Sequence, residues 1–90
     1  MLFTVTVEVM PKDSVADPEG ATIARSLDAL GFPGVAQVRA GKVYQLSLEV
    51  PSEDVARSTA QDMAGKLLAN PVIELATITT IARIDVAGVR

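Results

Sequence analysis

The stretch LFTVTVEVM, residues 2–10, decides the fold class of this 90-residue chain. Apolar residues occupy every second position from Phe3 to Val9, and threonine or glutamate stands between them. This period of two is typical of a β-strand with one buried and one exposed face. The stretch therefore predicts a strand that lines one side of a small apolar core.

A first helix is predicted over residues 18–30. Asp17 precedes it as a cap, and Pro18 suits the first helical position because that position needs no N–H. Gly31 can adopt the left-handed conformation that ends a helix, and Phe32 can fold back onto the last turn. We expect one apolar stripe of this helix to be buried, formed by Ile23, Leu27 and Leu30.

The stretch GVAQVRAGKVYQLSLEV, residues 34–50, predicts two strands joined by a tight turn at Ala40 and Gly41. The glycine would supply the positive φ that such turns require. In the second of these strands the apolar residues again alternate with polar ones, which predicts one dry face formed by Tyr44, Leu46, Leu48 and Val50.

A second helix is predicted to open at Ser52, and Pro71 is expected to stop it because proline disfavours a helical conformation at Asn70. Its inward stripe is expected to comprise Ala56, Ala60, Met63 and Leu67. Residues 72–81 are rich in β-branched residues and predict a last strand, although their alternation is imperfect. Residues 82–90 either extend this strand or form a C-terminal tail.

The order β-α-β-β-α-β predicts an α+β fold. Specifically, it predicts a two-layer, ferredoxin-like sandwich, with a four-stranded antiparallel sheet and two helices on one face. The first and third predicted strands are expected in the middle of the sheet. Residues 1–90 are expected to form a single domain, because a second core would not fit in so short a chain.

Composition narrows the classes of function. The chain has no cysteine and no histidine, which excludes disulfides, thiolate metal sites and a histidine-activated serine triad. The net charge is −3 and the eight basic residues are scattered, which argues against nucleic-acid binding. No segment predicts a membrane span or a signal peptide, so we expect a cytoplasmic protein.

Two groups of charged residues are candidate sites. The acids Asp13, Asp17 and Glu19 could hold a metal ion, but their spacing matches no known loop and capping explains them better. Arg39 and Lys42 flank the predicted hairpin tip and could contact a phosphate or an acidic partner, or could simply be solvated. No cofactor is expected to bind this chain.

Two classes of function remain open from the residues alone. One is a noncatalytic subunit that buries surfaces against itself and a partner. The other is a small-molecule-sensing regulatory or oligomerisation domain, as is often built on such sandwiches. Self-association is expected in either case, because it would stabilise a small core and protect the threonine-rich edge of residues 77–81.

Three segments, at their particular intervals, resemble one family. They are DPEGATIARSLDALGF (17–32), VRAGKVYQLSLEV (38–50) and LLANPVIE (67–74). In order and spacing they look like PurS, the small subunit of phosphoribosylformylglycinamidine synthase. The matched pattern is D-P-x-G, L-G-aromatic, V-R-x-G-K and L-L-A-N-P-V-I-E, and it covers residues 3–75. The less charged and longer end of the chain departs from that pattern.

The resemblance implies a noncatalytic role in de novo purine synthesis, where formylglycinamide ribonucleotide becomes its amidine. It implies that a large synthetase subunit uses ATP and Mg²⁺, and that a separate glutaminase subunit releases ammonia. The small subunit would bridge these two partners, support ammonia transfer, and associate with itself as a dimer or a dimer of dimers. By the same resemblance, Arg39, Lys42 and Asn70 are candidate partner-contact or shape-determining residues, and none is catalytic.

Overall fold

A computed structural model describes residues 1–84 of the chain. Within them the elements follow in the order strand, helix, strand, helix, strand. Their bounds are β1 Leu2–Pro11, α1 Pro18–Ala29, β2 Lys42–Glu49, α2 Glu53–Met63 with a π-helical turn at Ala64–Leu68, and β3 Glu74–Ile84.

The central strand is β1, with β2 and β3 on either side, both antiparallel to it. The predicted alternation is confirmed, because each odd-numbered residue from Phe3 to Val9 is at most 3% exposed. The predicted dry face of β2 is confirmed in part, since its apolar residues pack against this core but are only partly buried. The core therefore lies on one face of the sheet.

Helix α2 covers that face along β1 and β3. Ser52 caps it by accepting a hydrogen bond from the amide of Val55 at 3.2 Å, as predicted. Ala56 and Ala60 are fully buried, and Ala64 is 5% exposed. Alanines at the contact let the helix approach the sheet closely, which suits a chain with few aromatic residues.

The inward stripe of α2 is only partly as predicted, because the helix widens into a π-helical turn. The amide of Ala69 donates to the carbonyl of Ala64, five residues earlier, at 2.9 Å. The extra residue in this turn rotates the positions that follow it. As a result Leu67 is 83% exposed, whereas Ala69 is buried. Met63, which precedes the turn, is 38% exposed.

The imperfect alternation of β3 has a local cause. The pairing with β1 shifts by one residue between Thr6 and Val7, where Thr79 has no partner. This β-bulge places Ile78 and Ile81, three residues apart, on the same inner face. The bulge reconciles the sequence of β3 with a single buried face.

Helix α1 begins and ends as predicted. Asp17 caps it, Pro18 occupies its first turn, and Gly31 has a φ of 91°. The amides of Gly31 and Phe32 donate to the carbonyls of Asp28 and Leu27, which closes a Schellman motif.

The predicted burial of the α1 stripe is wrong. Ile23 is 40% exposed and Leu30 73% exposed, and Gly20 is the one buried residue of this helix. The physical reason is that α1 does not pack on the sheet of its own chain. A helix with an apolar stripe but no partner leaves that stripe in water.

The predicted second strand is also absent within residues 1–84. Residues 35–41, which we call the strap, have no regular structure and no backbone hydrogen bonds to β2. Gly41 does not have a positive φ, so the predicted hairpin turn does not form. Instead a side chain at Gly41 would collide with Met10 and with the carbonyl of Val9. This glycine therefore permits close approach rather than a turn.

The α+β class, the antiparallel sheet and the two helices of a ferredoxin-like fold are confirmed, but the sheet has three strands and one helix on its inner face. The third predicted strand, β2, is consequently an edge and not a central strand. β3 includes residues 82–84, and the remainder of the predicted extension or tail lies outside the described residues. The molecule is elongated, with a radius of gyration of 16.9 Å against about 12 Å for a compact chain of this length.

Candidate functional site

One carboxylate joins the start of α1 to the strap. Oδ1 of Asp17 accepts a hydrogen bond from the amide of Gly20 at 3.0 Å, and Oδ2 accepts one from the amide of Ala40 at 2.7 Å. The second bond spans 23 residues of sequence. Asp17 is thus more than a helix cap, because it also fixes where the strap passes.

These bonds stabilise the ionised form of the side chain. The amide of Ala40 has the largest effect, followed by the amide of Gly20, and the nearby guanidinium of Arg39 contributes in the same direction. Together they lower the pKa of Asp17 below its usual value of 3.8, against a smaller opposing effect of burial. The carboxylate is therefore charged at neutral pH.

Gly20 lies in the same contact. A Cβ built on it would collide with the carbonyl oxygen of Val38 in the strap and would come within 2.5 Å of Oδ2 of Asp17. The glycine of the D-P-x-G segment is therefore required by close packing of α1 against the strap.

Arg39 holds the strap to the end of β1. One nitrogen, Nη2, donates to the carbonyl of Pro11 at 2.6 Å and to that of Lys12 at 3.1 Å. Its side chain is partly buried there. We call Asp17, Gly20, Arg39 and Ala40 the clamp.

A second structured turn lies beside the clamp. The amide of Lys12 donates to the carbonyl of Ile73 at 2.9 Å, so the residue that accepts from Arg39 also contacts the segment before β3. In that segment Oδ1 of Asn70 accepts from the amide of Val72 at 3.0 Å. Oε1 of Glu74 accepts from the amide of Asn70 at 2.7 Å. The turn is thus closed by its own side chains.

The candidate residues occupy three different settings at one end of the sheet. Arg39 is engaged with backbone carbonyls, and Asn70 with its own turn. Lys42 is exposed at the first position of β2, opposite Val9. Arg39 and Asn70 are connected through the backbone of Lys12 and Ile73, since the amide of Ile73 donates to the carbonyl of Asn70 at 3.1 Å.

Sequence reasoning missed the wider roles of Asp17, Lys12 and Glu74. Asp17 was assigned to capping alone because its second partner, Ala40, is distant in sequence. The signal was present in the motifs, since D-P-x-G and V-R-x-G-K are both segments of the family pattern and their residues form one contact in this chain. No comparable sequence signal marked Lys12.

In residues 1–84 no three acidic residues lie close enough to hold a metal ion. Over the same range, no helix combines the length and apolarity needed to cross a membrane. A cavity of about 550 Å³ lies between α2, the π-helical turn and β3, and its polar lining includes Lys12, Arg57 and Glu74.

The three motif segments, far apart in sequence, therefore meet around Pro11 and Lys12. The sequence model of PurS, described as phosphoribosylformylglycinamidine (FGAM) synthase, matches residues 4–82. The chain belongs to the PurS family. The PurS subunit of FGAM synthase from Synechocystis sp. is 44% identical over 68 residues, which are 76% of this chain and 68% of that protein.

Solved PurS structures share the fold. Thermus thermophilus PurS superposes with a TM-score of 0.86 at 30% identity, covering 94% of this chain and all of the other. A chain of PurLQS from Thermotoga maritima gives 0.80 at 30% identity, covering 93% of this chain and 99% of the other. Residues 13–41 form about a third of the chain. A score of 0.86 therefore requires that they be placed similarly in both proteins.

Membership of PurS assigns the chain to FGAM synthase as a subunit, and hence to purine biosynthesis. The residues that carry the family pattern in this chain build the clamp and the closed turn. Their observed contacts are with backbone groups of the same chain.

Proposed function

We propose that this chain is the noncatalytic small subunit of the FGAM synthase complex. It would bridge the large synthetase and the glutaminase subunits and support ammonia transfer during the ATP- and glutamine-dependent step. One observation supports this proposal most directly. The residues of the family motifs form hydrogen bonds that fix the backbone at one end of the molecule. The similarity to a chain of PurLQS supports assembly with larger subunits.

The composition supports a role without catalytic residues in this chain. Covalent glutamine hydrolysis needs an activated nucleophile, most effectively a cysteine, and general bases near neutral pH are most often histidines. The sequence contains neither residue. ATP and Mg²⁺ would be bound by the synthetase subunit.

The site residues divide between two proposed roles. Arg39 and Asn70 are shape-determining, because their hydrogen bonds go to the backbone around the clamp and the turn. Lys42 is a partner-contact residue, because it is exposed beside that rigid end. The chain acts in the cytoplasm as a single domain of residues 1–90.

Self-association, as a dimer or a dimer of dimers, is part of this proposal. The outer face of the sheet has no covering layer in residues 1–84, and it carries semi-polar side chains such as Thr4, Thr6 and Ser47. Light scattering after size-exclusion chromatography measures the mass directly. A stable monomer at micromolar concentration would refute this part.

The decisive experiment compares two nitrogen sources. The two larger subunits are assayed for amidine formation with glutamine and with ammonia, each with and without this chain. We expect glutamine-dependent formation to require the chain, and ammonia-dependent formation to need it less. No dependence in either assay would contradict the proposal.

Single variants distinguish a residue that contacts a partner from a residue that fixes the local fold. Lys42→Ala should weaken complex formation with the two partners, measured by sedimentation, while the isolated fold stays intact. The matched control is Arg57→Ala, which removes an exposed cation from α2. Arg39→Ala should weaken assembly and also loosen the strap. Undiminished complex formation by the double variant of Arg39 and Lys42 would count against both roles.

A second candidate function is a small-molecule-sensing regulatory domain. The cavity beside β3 favours it, because about 550 Å³ lies in the range of small-molecule sites and the lining combines apolar and charged groups. This alternative gains support if the assays above show no dependence on the chain.

A further inference from the structure

The cavity of about 550 Å³ lies between α2 and the first half of β3. Val7, Ala64 and Ile78 give it an apolar wall, and charged and polar side chains surround that wall. Small-molecule sites commonly combine such a volume with apolar lining and a few polar groups that select the ligand. The polar groups of this cavity therefore indicate the class of ligand that fits it.

Helix α2 gives the cavity its shape. Arg57, Gln61 and Gly65 line it at intervals of four residues, so they form one stripe of the helix. A Cβ at Gly65 would meet no atom within 4 Å beyond the backbone of its own helix and its chain neighbours, so the glycine leaves this end of the stripe open. The π-helical turn that contains Gly65 widens the helix at the same place, and such turns are frequent at functional sites.

Two cations lie in the lining, the ammonium of Lys12 and the guanidinium of Arg57. Among residues 1–84 neither side chain has a partner in an ion pair, so both are available to the carboxylates of a ligand. The backbone of Lys12 is held on both sides, because its amide donates to the carbonyl of Ile73 and its carbonyl accepts from Arg39. The clamp thus fixes the position from which Lys12 reaches the cavity.

Groups of the opposite charge lie in the same lining. Oε1 of Glu74 accepts from the amide of Asn70 at 2.7 Å, whereas Oε2 has no hydrogen-bond partner in the described part of the chain. The amide of Asn70 would continue the π-helical pattern onto the carbonyl of Gly65, but it donates to Glu74 instead. A carboxylate beside the carbonyls at the end of a helix favours a bound cation.

We propose that this cavity binds a dicarboxylic α-amino acid, for which L-glutamate is the probe. The two carboxylates of the ligand pair with Lys12 and Arg57. Its ammonium binds Glu74 and the carbonyl of Gly65, and its methylene groups lie against the apolar wall. The two cations and one anion of the lining match the two carboxylates and one ammonium of the ligand. This inference rests on the second candidate function and names its ligand.

A ligand series tests the assignment on the full chain. Isotope-labelled protein is titrated with L-glutamate, L-glutamine, glutarate and inorganic phosphate at constant pH and ionic strength, and the amide resonances are followed by NMR. We expect shifts at Gly65, Ala69 and Thr77, with a Kd for L-glutamate on the order of 1 mM, because exposed ion pairs are individually weak. L-Glutamine lacks one carboxylate and glutarate lacks the ammonium, so each should bind about 10-fold more weakly.

Two substitutions locate the charged groups of the ligand. Arg57→Gln should weaken the binding of L-glutamate about 10-fold, and Arg25→Gln, at an exposed cation on α1, is the matched control that should not. Glu74→Gln retains an oxygen that can accept from the amide of Asn70, so the turn stays closed. Because it removes the charge that faces the ammonium, Glu74→Gln should abolish the preference for L-glutamate over glutarate.

A third substitution fills the cavity. Gly65→Met adds a long side chain where the structure leaves open space, and it should abolish the shifts produced by L-glutamate. Methionine is a better helix former than glycine, so the melting temperature should not fall. Gly65→Ala adds a single methyl group and should retain most of the binding. Loss of binding at an undiminished melting temperature assigns the loss to the cavity and not to unfolding.

The outcomes separate this inference from the proposed functions. Equal binding of L-glutamate, glutarate and phosphate, or an unchanged preference in Glu74→Gln, overturns the amino-acid assignment but leaves the small-molecule site that the second candidate function needs. The absence of saturable shifts, or binding that survives both Arg57→Gln and Gly65→Met, overturns the site itself. The assay of amidine formation tests the role in the complex independently. Sedimentation is measured without added amino acid, so Arg57→Ala remains the control for Lys42→Ala.

Discussion

The body of the molecule is formed by the sheet and α2, and the arm is formed by residues 13–41, which contain α1 and the strap. The two regions differ in the interactions that stabilise them. The body buries Phe3, Val5 and Val7 almost completely. The arm buries Gly20 alone among the residues of α1, and it is fixed at its root by the hydrogen bonds of Asp17 and Arg39. Apolar burial thus stabilises one region, while a few directional bonds set the position of the other.

The largest expected effect lies in the body. Phe3→Ala removes a ring that is 3% exposed and should lower the free energy of unfolding by about 3 to 5 kcal/mol. Ile23→Ala on the arm should cost the isolated chain under about 0.5 kcal/mol, since that side chain is 40% exposed. Urea unfolding at concentrations where the monomer predominates measures both values. Equal losses of unfolding free energy for the two variants would show that body and arm are stabilised in the same way.

An intermediate effect is expected at the clamp. Gly20→Ala places a Cβ against the carbonyl of Val38, a backbone atom that cannot rotate away, and should cost about 1 to 3 kcal/mol of arm ordering. Hydrogen exchange should show lost protection at Ala40 with protection of β1 unchanged. Gly65→Ala is the control, because a Cβ at that position would meet no atom within 4 Å beyond the backbone of its own helix and its chain neighbours. Loss of protection throughout β1 would show that arm and body are one unit.

The smallest effect is the response to acid. Because the folded-state pKa of Asp17 lies below its usual value, its contribution is fully present above pH 3.8 and is lost as the pH falls through the lowered value. The amide resonance of Ala40 should report this step below pH 3.8. Asp17→Asn should abolish it, while Asp28→Asn, an equal charge change on α1, should preserve it. A step that persists in Asp17→Asn would assign it to another group.

Local chemistry predicted the elements well. The alternation of β1, the caps at Asp17 and Ser52, and the Schellman end at Gly31 all depend on residues near each other in sequence, and all are confirmed. The strap failed as a strand because a strand needs a partner edge, and alternation alone cannot say whether the same chain provides one. Leu67 was misplaced because nothing in the residues signalled a π-helical turn.

The candidate site was harder to predict than the fold. Arg39 and Lys42 were paired on a hairpin tip that does not exist in this chain. The partners of Arg39 lie 27 and 28 residues away and are backbone carbonyls, which carry no sequence signature. Motif resemblance singled out Arg39 and Asn70, but their contacts became visible only when the backbone around Lys12 was in place.

The pairing of β1 with β3 has a consequence for how the protein is made. Strand β1 is synthesised before both strands that pair with it, and its longest partner is formed by residues 74–84. At about 5 to 20 residues per second, a ribosome needs roughly 3 to 13 s to make the intervening segment. During that interval the valine-rich face of β1 cannot be completed by its own chain. Folding of the body therefore waits for the synthesis of residues 74–84, and until then β1 is the segment most in need of protection from aggregation.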